Sequence, residues 1–514
     1  MSTLNTPAGT RQQPAPGHRR RLLILGICSM SLLIVGMDAT IVNVALPAIQ
    51  HSFRSALPGL QWAVDAYTLV LASLLMLAGS TADRLGRRRV FQAGLALFCL
   101  GSLACALAPG LALLVCFRVL QAIGGAMLSP ATMSIVRSTF TDPRERARAI
   151  GVYAAMFGIS MAAGPVLGGF LVSEASWRAV FMVNLPIGLA AIALAARFVP
   201  ESRAPRPRRP DPVGQVLVIA ALAALTYAII EGGRDGFGTA RIVILLAVAL
   251  GCSAALVCYE LRRAEPLLEM RFFTSAPFAG ASAIAVYLLA ALGGFLFLNT
   301  LYLQEVRGFS PLRAGLCMLP AAAMMTVIAP LSGQLTARFG ARPAMLAGGL
   351  ATGGSGLMLT GLTPGTPVPY LLAAYAVFGL GVALVNPPIT STAVSGMPPA
   401  QAGVAAAVAT TSRQAGMTLG VAVLGAIAGA GHGSAIGRGF TQATRPGWWI
   451  VAALGLTIAV LGYLTTTAWA HDTTTGVLPG RRAWRVRGGR AVRVRGRVRR
   501  GSRTGRDRRR PAGP

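Results

Sequence analysis

Apolar residues in this chain come in long, nearly unbroken runs rather than in the three-to-four rhythm of a surface helix. The runs fall at about 22–46, 60–80, 90–108, 111–136, 148–172, 179–199, 213–231, 241–260, 276–303, 312–332, 343–362, 368–388, 403–429 and 449–470. A helix of roughly twenty residues rises about 30 Å, the thickness of a bilayer's hydrocarbon core. Lipid offers no partner to a backbone N–H or C=O, so segments of this kind must be helices that satisfy themselves. The pattern predicts an all-α integral membrane protein of fourteen spans, joined by short connections that force neighbours to run antiparallel.

The polar gaps carry the charge. Of 514 residues, 54% are hydrophobic and 12% charged, with 47 basic against 16 acidic side chains and a net charge of +31. Such a balance can signal nucleic-acid binding, but here the distribution argues against it. Fifteen arginines lie at or beyond Arg481, 22 fall in the connections of one side and eight in those of the other. That asymmetry is the positive-inside rule with both termini cytoplasmic, in a multi-pass protein of the plasma (inner) membrane. There is no lysine, which excludes both a P-loop and Schiff-base chemistry. The chain therefore needs another energy source than ATP bound to a P-loop of its own, and no cofactor or metal is expected. The seven cysteines lie in apolar runs without metal-ligand spacing and read as packing residues. The four histidines, His18, His51, His432 and His471, fall in tails or connections.

The most informative gap is Gly79-Ser80-Thr81-Ala82-Asp83-Arg84-Leu85-Gly86-Arg87-Arg88-Arg89. It reads as a tight charged turn between spans two and three. A second copy follows span ten, where Gly333, Arg338, Gly340 and Arg342 answer Gly79, Arg84, Gly86 and Arg87, while Ala337 replaces Asp83. The repeat divides the chain into an N-terminal six-helix half over 21–200, a linker and two inserted helices over 201–265, and a C-terminal six-helix half over 266–471. Disordered cytoplasmic segments are expected at 1–20 and, rich in Arg, at 472–514. Paired halves are a transporter architecture with the substrate site between them.

A few residues carry candidate chemistry. Asp38 sits deep in the first span, where a carboxylate is costly and should face a cavity or a partner. Removal from water favours the protonated form of such a group, which is what a proton-coupling site requires; a plain hydrogen bond to a neighbouring helix is the competing reading. Asp65 is placed near the outer end of span two, either solvated or serving substrate and protons. Arg118, inside span four, keeps its charge and needs a counter-charge, or else snorkels. Gly158, Gly164, Pro165, Gly168 and Gly169 give span five a small-residue seam for close helix approach, with a proline that permits a bend. In the turn, Asp83 is expected to pair with Arg84, Arg87 or Arg88, or with the start of a neighbouring helix, latching the halves. Glu231 and Glu305 are candidates for extra selectivity.

Together these motifs resemble the major facilitator superfamily. The loop at 79–89 is similar to its signature between spans two and three, 118–125 to its span-four motif with Ala122 in place of the usual Gly, and 158–169 to a span-five motif associated with antiporters. Asp38-Ala39-Thr40-Ile41-Val42-Asn43-Val44-Ala45-Leu46-Pro47 and Trp177-Arg178-Ala179-Val180-Phe181-Met182-Val183-Asn184-Leu185-Pro186-Ile187-Gly188 resemble the fourteen-span drug:H+ antiporters of the EmrB/QacA type. Arg413-Gln414-Ala415-Gly416 in span thirteen also looks familial. The resemblance implies a monomeric exporter of amphipathic drugs or antibiotics, driven by protons, in which Asp38 and Arg118 serve coupling and Asp65 serves coupling or cation recognition. Import by symport on the same fold, and a non-transporting sensor, are the alternatives; no paired catalytic cluster suggests an enzyme.

Overall fold

The computed structural model describes residues 17–204, 211–263, 268–395, 397, 402–430 and 439–474. The Arg-rich segment from 475, residues 1–16, the basic stretch 205–210 and His432 lie outside the described residues. The structure is all-helical. Among the described residues, twelve helices are long and apolar enough to cross a membrane. They are α1 (His18–Phe53), α2 (Leu57–Leu85), α3 (Arg87–Ala106), α4 (Leu111–Thr139), α5 (Pro143–Glu174), α6 (Ala179–Phe198), α7 (Pro212–Asp235), α8 (Ala240–Arg262), α9 (Ala276–Val306), α10 (Pro311–Phe339), α12 (Val368–Val394) and α14 (Phe440–Leu464). Two further long helices, α11 (Ala341–Leu359) and α13 (Ala402–Ala430), complete the series. These two are rich in Gly, Thr and Ser and each carries an arginine, which dilutes their hydropathy.

The helices pack as two sixfold sets with the same pairings. In α1–α6 the partners are α1 with α5, α2 with α4, α3 with α4, and α3 with α6; in α9–α14 they are α9 with α13, α10 with α12, α11 with α12, and α11 with α14. Glycines set the close approaches in both. A Cβ on Gly94 would meet Gly124 O at 3.0 Å, and one on Gly348 would meet Gly381 O at 2.8 Å. A Cβ on Gly164 would strike Thr40 of α1, and one on Gly416 would strike Val286 of α9. The halves meet along α2 with α13 and α5 with α10, and the pair α7 and α8 leans on α2 and α13 through α7.

The expected turn at 79–89 is shorter than its polarity suggests. Helix α2 runs to Leu85 and α3 begins at Arg87, leaving Gly86 alone as the hinge. Its φ of 118° lies in the region that favours glycine. The repeat copies this: Gly340, with φ 81°, separates α10 from α11. An ion pair from Asp83 in the last turn of α2 to Arg87 at the start of α3 spans this hinge. The first residues of α1, His18 to Arg20, are likewise helical rather than disordered.

Candidate functional site

Five of the N-terminal helices converge on Asp38, which is fully buried, as are Ser102, Arg118, Gln121 and Asn184. Arg118 of α4 donates through Nη1 to Asp38 Oδ2 in an ion pair. The same Nη1 donates to Gln121 Oε1 at 2.8 Å, and Nε donates to Ala63 O of α2 at 3.1 Å. The other carboxylate oxygen, Oδ1, accepts from Gln121 Nε2 at 2.8 Å and from Asn184 Nδ2 of α6 at 3.0 Å. Ser102 of α3 closes the ring by accepting from Gln121 and Asn184 at 2.7 and 3.3 Å. The guanidinium stands 4.2 Å from the ring centroid of Tyr67, a cation–π contact. Arg118 therefore does not snorkel; it meets the counter-charge the sequence required. A buried charge pair persists only where its remaining donors and acceptors are satisfied, and the amides of Gln121 and Asn184 do that for Asp38. The α4 backbone comes close to α3 at Gln121 because position 101 is glycine: a Cβ there would meet the Gln121 backbone N at 2.6 Å.

Asp65 is not part of this ring. It is fully buried, not solvated, and faces the seam between α2 and α13. One turn before it, Gln61 Nε2 donates to Ala422 O at 2.9 Å; one turn after it, the hydroxyls of Thr68 and Thr418 are 2.8 Å apart. Both carboxylate oxygens of Asp65 lack a hydrogen-bond partner.

Among the described residues, the side-chain hydrogen bonds joining the two halves lie from mid-span to the end of the bundle opposite the termini. Besides Gln61 and Thr418, Gln304 Nε2 donates to Val44 O at 3.0 Å, His51 meets Glu305 at 3.1 Å, and Leu312 N donates to Ser173 Oγ at 3.3 Å. The span-five seam lies here too. A Cβ on Gly169 would meet Leu312 Cα at 2.8 Å, and Gly315 abuts the Pro165 carbonyl, whereas Gly158 is 3.6 Å from Thr326 on the same measure. Gly164 and Gly168 face α1 instead. Glu305 is thus tied to His51, and Glu231 accepts from Trp62 Nε1 at 3.1 Å.

At the terminus end, Asp83 accepts from Arg87 Nη2 at 3.0 Å, and its backbone carbonyl accepts from Ala204 N at 3.1 Å. A residue the sequence reading missed organises the rest. Glu201, after α6, accepts from Arg88 N at 3.1 Å and Arg89 N at 3.2 Å, capping the first turn of α3 from a distant part of the chain. Arg88 Nη1 also donates to Val199 O at 3.3 Å. In this conformation the loop is fastened within its own half. Arg84 and Arg338 sit in the last turns of α2 and α10. The signal for Glu201 was a lone acid at the start of a basic linker.

The model of the Major Facilitator Superfamily matches residues 28–421. The chain is 40% identical over 411 residues to the multidrug resistance protein Stp of Mycobacterium tuberculosis, covering 80% of this chain and 76% of that one. It is 35% identical to the tetracenomycin C resistance and export protein of Streptomyces glaucescens, covering 86% and 83%. Among solved structures it is similar to the peptide transporter POT in complex with sulfate, with TM-score 0.65, 16% identity, and 90% and 97% of the two chains covered. Family match, relatives and paired helical halves agree: the chain belongs to the Major Facilitator Superfamily, alongside relatives named for multidrug resistance and antibiotic export.

Proposed function

We propose that the protein exports amphipathic drugs or antibiotics in exchange for protons, by rocking its two halves in alternating access across the plasma (inner) membrane. The observation that carries the coupling is the Asp38 site: one carboxylate, out of water, held between a permanent cation and two amides. A proton arriving on Asp38 would weaken its hold on Arg118 and loosen α1 from α4. Asp65, unpartnered in the α2–α13 seam, is the second candidate carrier, placed where the halves must part. Small-molecule export is supported by the names of the relatives. In this reading α11 and α13 also cross the bilayer, making fourteen spans in a monomer with both termini cytoplasmic. The sealed end is then external, and the cavity opens inward. Gly79, Asp83, Arg84, Gly86, Arg87 and Arg88 form the cytoplasmic gate with the Arg338 loop, and no cofactor or nucleic acid takes part.

Inverted vesicles containing the Asp38→Asn protein provide the test. Substrate-induced proton release, strong with the unaltered protein, is expected to fall to the level of empty vesicles. Release that survives the change removes Asp38 from the coupling mechanism.

A further inference from the structure

The C-terminal half holds a cation that the mechanism above leaves unused. Arg413 of α13 reaches to α12, where Nε donates to Asn386 Oδ1 at 3.0 Å and Nη2 donates to Asn386 O at 3.2 Å and Thr390 Oγ1 at 2.8 Å. All three partners are neutral. Arg413 forms no ion pair among the described residues, and its Nη1 makes no hydrogen bond yet is not shut off from solvent. The side chain is half-buried. It lies more than a helical turn from Thr418 toward the terminus end, on the open side of the seal formed with Thr68. Helix packing does not require an arginine there. The α5 stretch from Gly151 aligns with α13 from Gly403, matching Ser160 to Ser412, Gly164 to Gly416 and Gly168 to Gly420, and in that register Met161 stands where α13 has Arg413. Both helices make their glycine approaches, one to α1 and one to α9, so the same seam forms with an apolar residue.

A guanidinium stays ionised and offers directed donors to carboxylate, sulfonate or phenolate oxygens. In a site shielded from bulk water, such charge-assisted bonds are the strong ones. We propose that Arg413 receives the anionic group of the transported amphiphile, so that the cavity favours acidic over cationic substrates; this rests on the export reading and narrows it. Of the two fully buried acids of the first half, Asp38 is engaged by Arg118 and Asp65 makes no ion pair with Arg413.

The test uses the purified full-length protein and two xanthene dyes of similar shape, anionic fluorescein and cationic tetramethylrhodamine methyl ester, followed by fluorescence polarisation. Fluorescein should bind more tightly than the cation. Arg413→Gln should weaken fluorescein at least about tenfold and leave the cation within about twofold, while Arg413→Lys should retain most of the affinity. Asn386→Asp gives Arg413 a counter-charge in place without shortening any side chain. It should abolish the anion preference, whereas a purely structural Arg413 would be steadied by it and binding would not change. Unaltered protein that prefers the cation or binds neither dye, or an Asn386→Asp protein that binds fluorescein as before, overturns the proposal. The export reading is judged separately: it fails if expression lowers cellular accumulation of neither dye and protects cells from no member of a drug panel.

Discussion

The two halves share a helix plan but spend charge differently. When the prolines of α4 and α12 are set in register, Gly124 meets Gly381, Pro130 meets Pro387 and Ser134 meets Ser391. That register puts Tyr375 where the first half has Arg118, and Phe378 where it has Gln121. Around Arg118 five helices enclose an ionic ring. Around Tyr375 the corresponding space holds stacked aromatics, Phe295 on Phe378 at 4.0 Å, and one neutral bond from Tyr375 Oη to Asn299 Oδ1 at 2.7 Å. The C-terminal half carries Arg413, bonded to neutral partners of α12 and without a carboxylate partner among the described residues. In the reading proposed above, the scaffold divides its labour: the half proposed to bind and release a proton is not the half proposed to receive the anion.

The sharpest way to break this contrast is to remove Arg118. Arg118→Ala leaves the Asp38 carboxylate buried without its cation, and stranding one member of a buried pair costs about 3–5 kcal/mol. The apparent melting temperature in detergent should fall steeply and recover in part with Arg118→Ala/Asp38→Asn, which removes the stranded charge. If the double change is no better than the single one, the pair is not the organising interaction of the first half.

How much of this was legible follows from what stands out in an apolar run. Asp38 and Arg118 were visible because a charge is conspicuous there, and their pairing followed from the need to neutralise each other. Gln121, Ser102 and Asn184 were not singled out, because neutral polar residues are ordinary in spans and sequence does not say which helices are neighbours. For Asp65 the sequence leaves a solvated position and a role with substrate or protons open for the same reason: only the packing of α2 on α13 shows that its face is covered. The 79–89 segment looked like a loop by polarity, yet backbone hydrogen bonds, not polarity, decide where a helix ends, and a single glycine with positive φ is the true break. The twofold plan was legible from the repeated loop, whereas the register of α4 on α12 became readable only once the halves were known.

A smaller effect separates the two glycine seams. Gly164→Ala pushes a methyl group mainly against the Thr40 hydroxyl, which can turn away at the loss of its bond to Met37 O, and leaves the Ile41 backbone N at 3.2 Å to give by a few tenths of an ångström. Gly416→Ala pushes one against the backbone of Val286, with Cα at 2.8 Å, and a backbone cannot step aside. The second change should destabilise by about 1–3 kcal/mol and the first by less, measured by thermal unfolding of the purified variants side by side. Equal losses would mean that both seams are equally rigid, and that the α1–α5 seam has no special freedom to move.

The smallest expected effect concerns the neutral pair that replaces the ionic ring. Tyr375→Phe deletes one hydroxyl and leaves Asn299 with its bond to Phe295 O at 2.9 Å. The change strands the buried Asn299 Oδ1 without a donor, at a cost toward the low end of about 1–3 kcal/mol, and the aromatic stack with Phe378 is untouched. Stability should drop by that amount, and the pH dependence of transport should not move at all, because neither Tyr375 nor Asn299 carries a proton in the proposed cycle. The same measurement on Asp38→Asn should lose its pH dependence altogether. A shifted pH profile in Tyr375→Phe would join the second half to the proton pathway and erase the division of labour, since the hydroxyl would then be acting through more than the stability of its own helix pair.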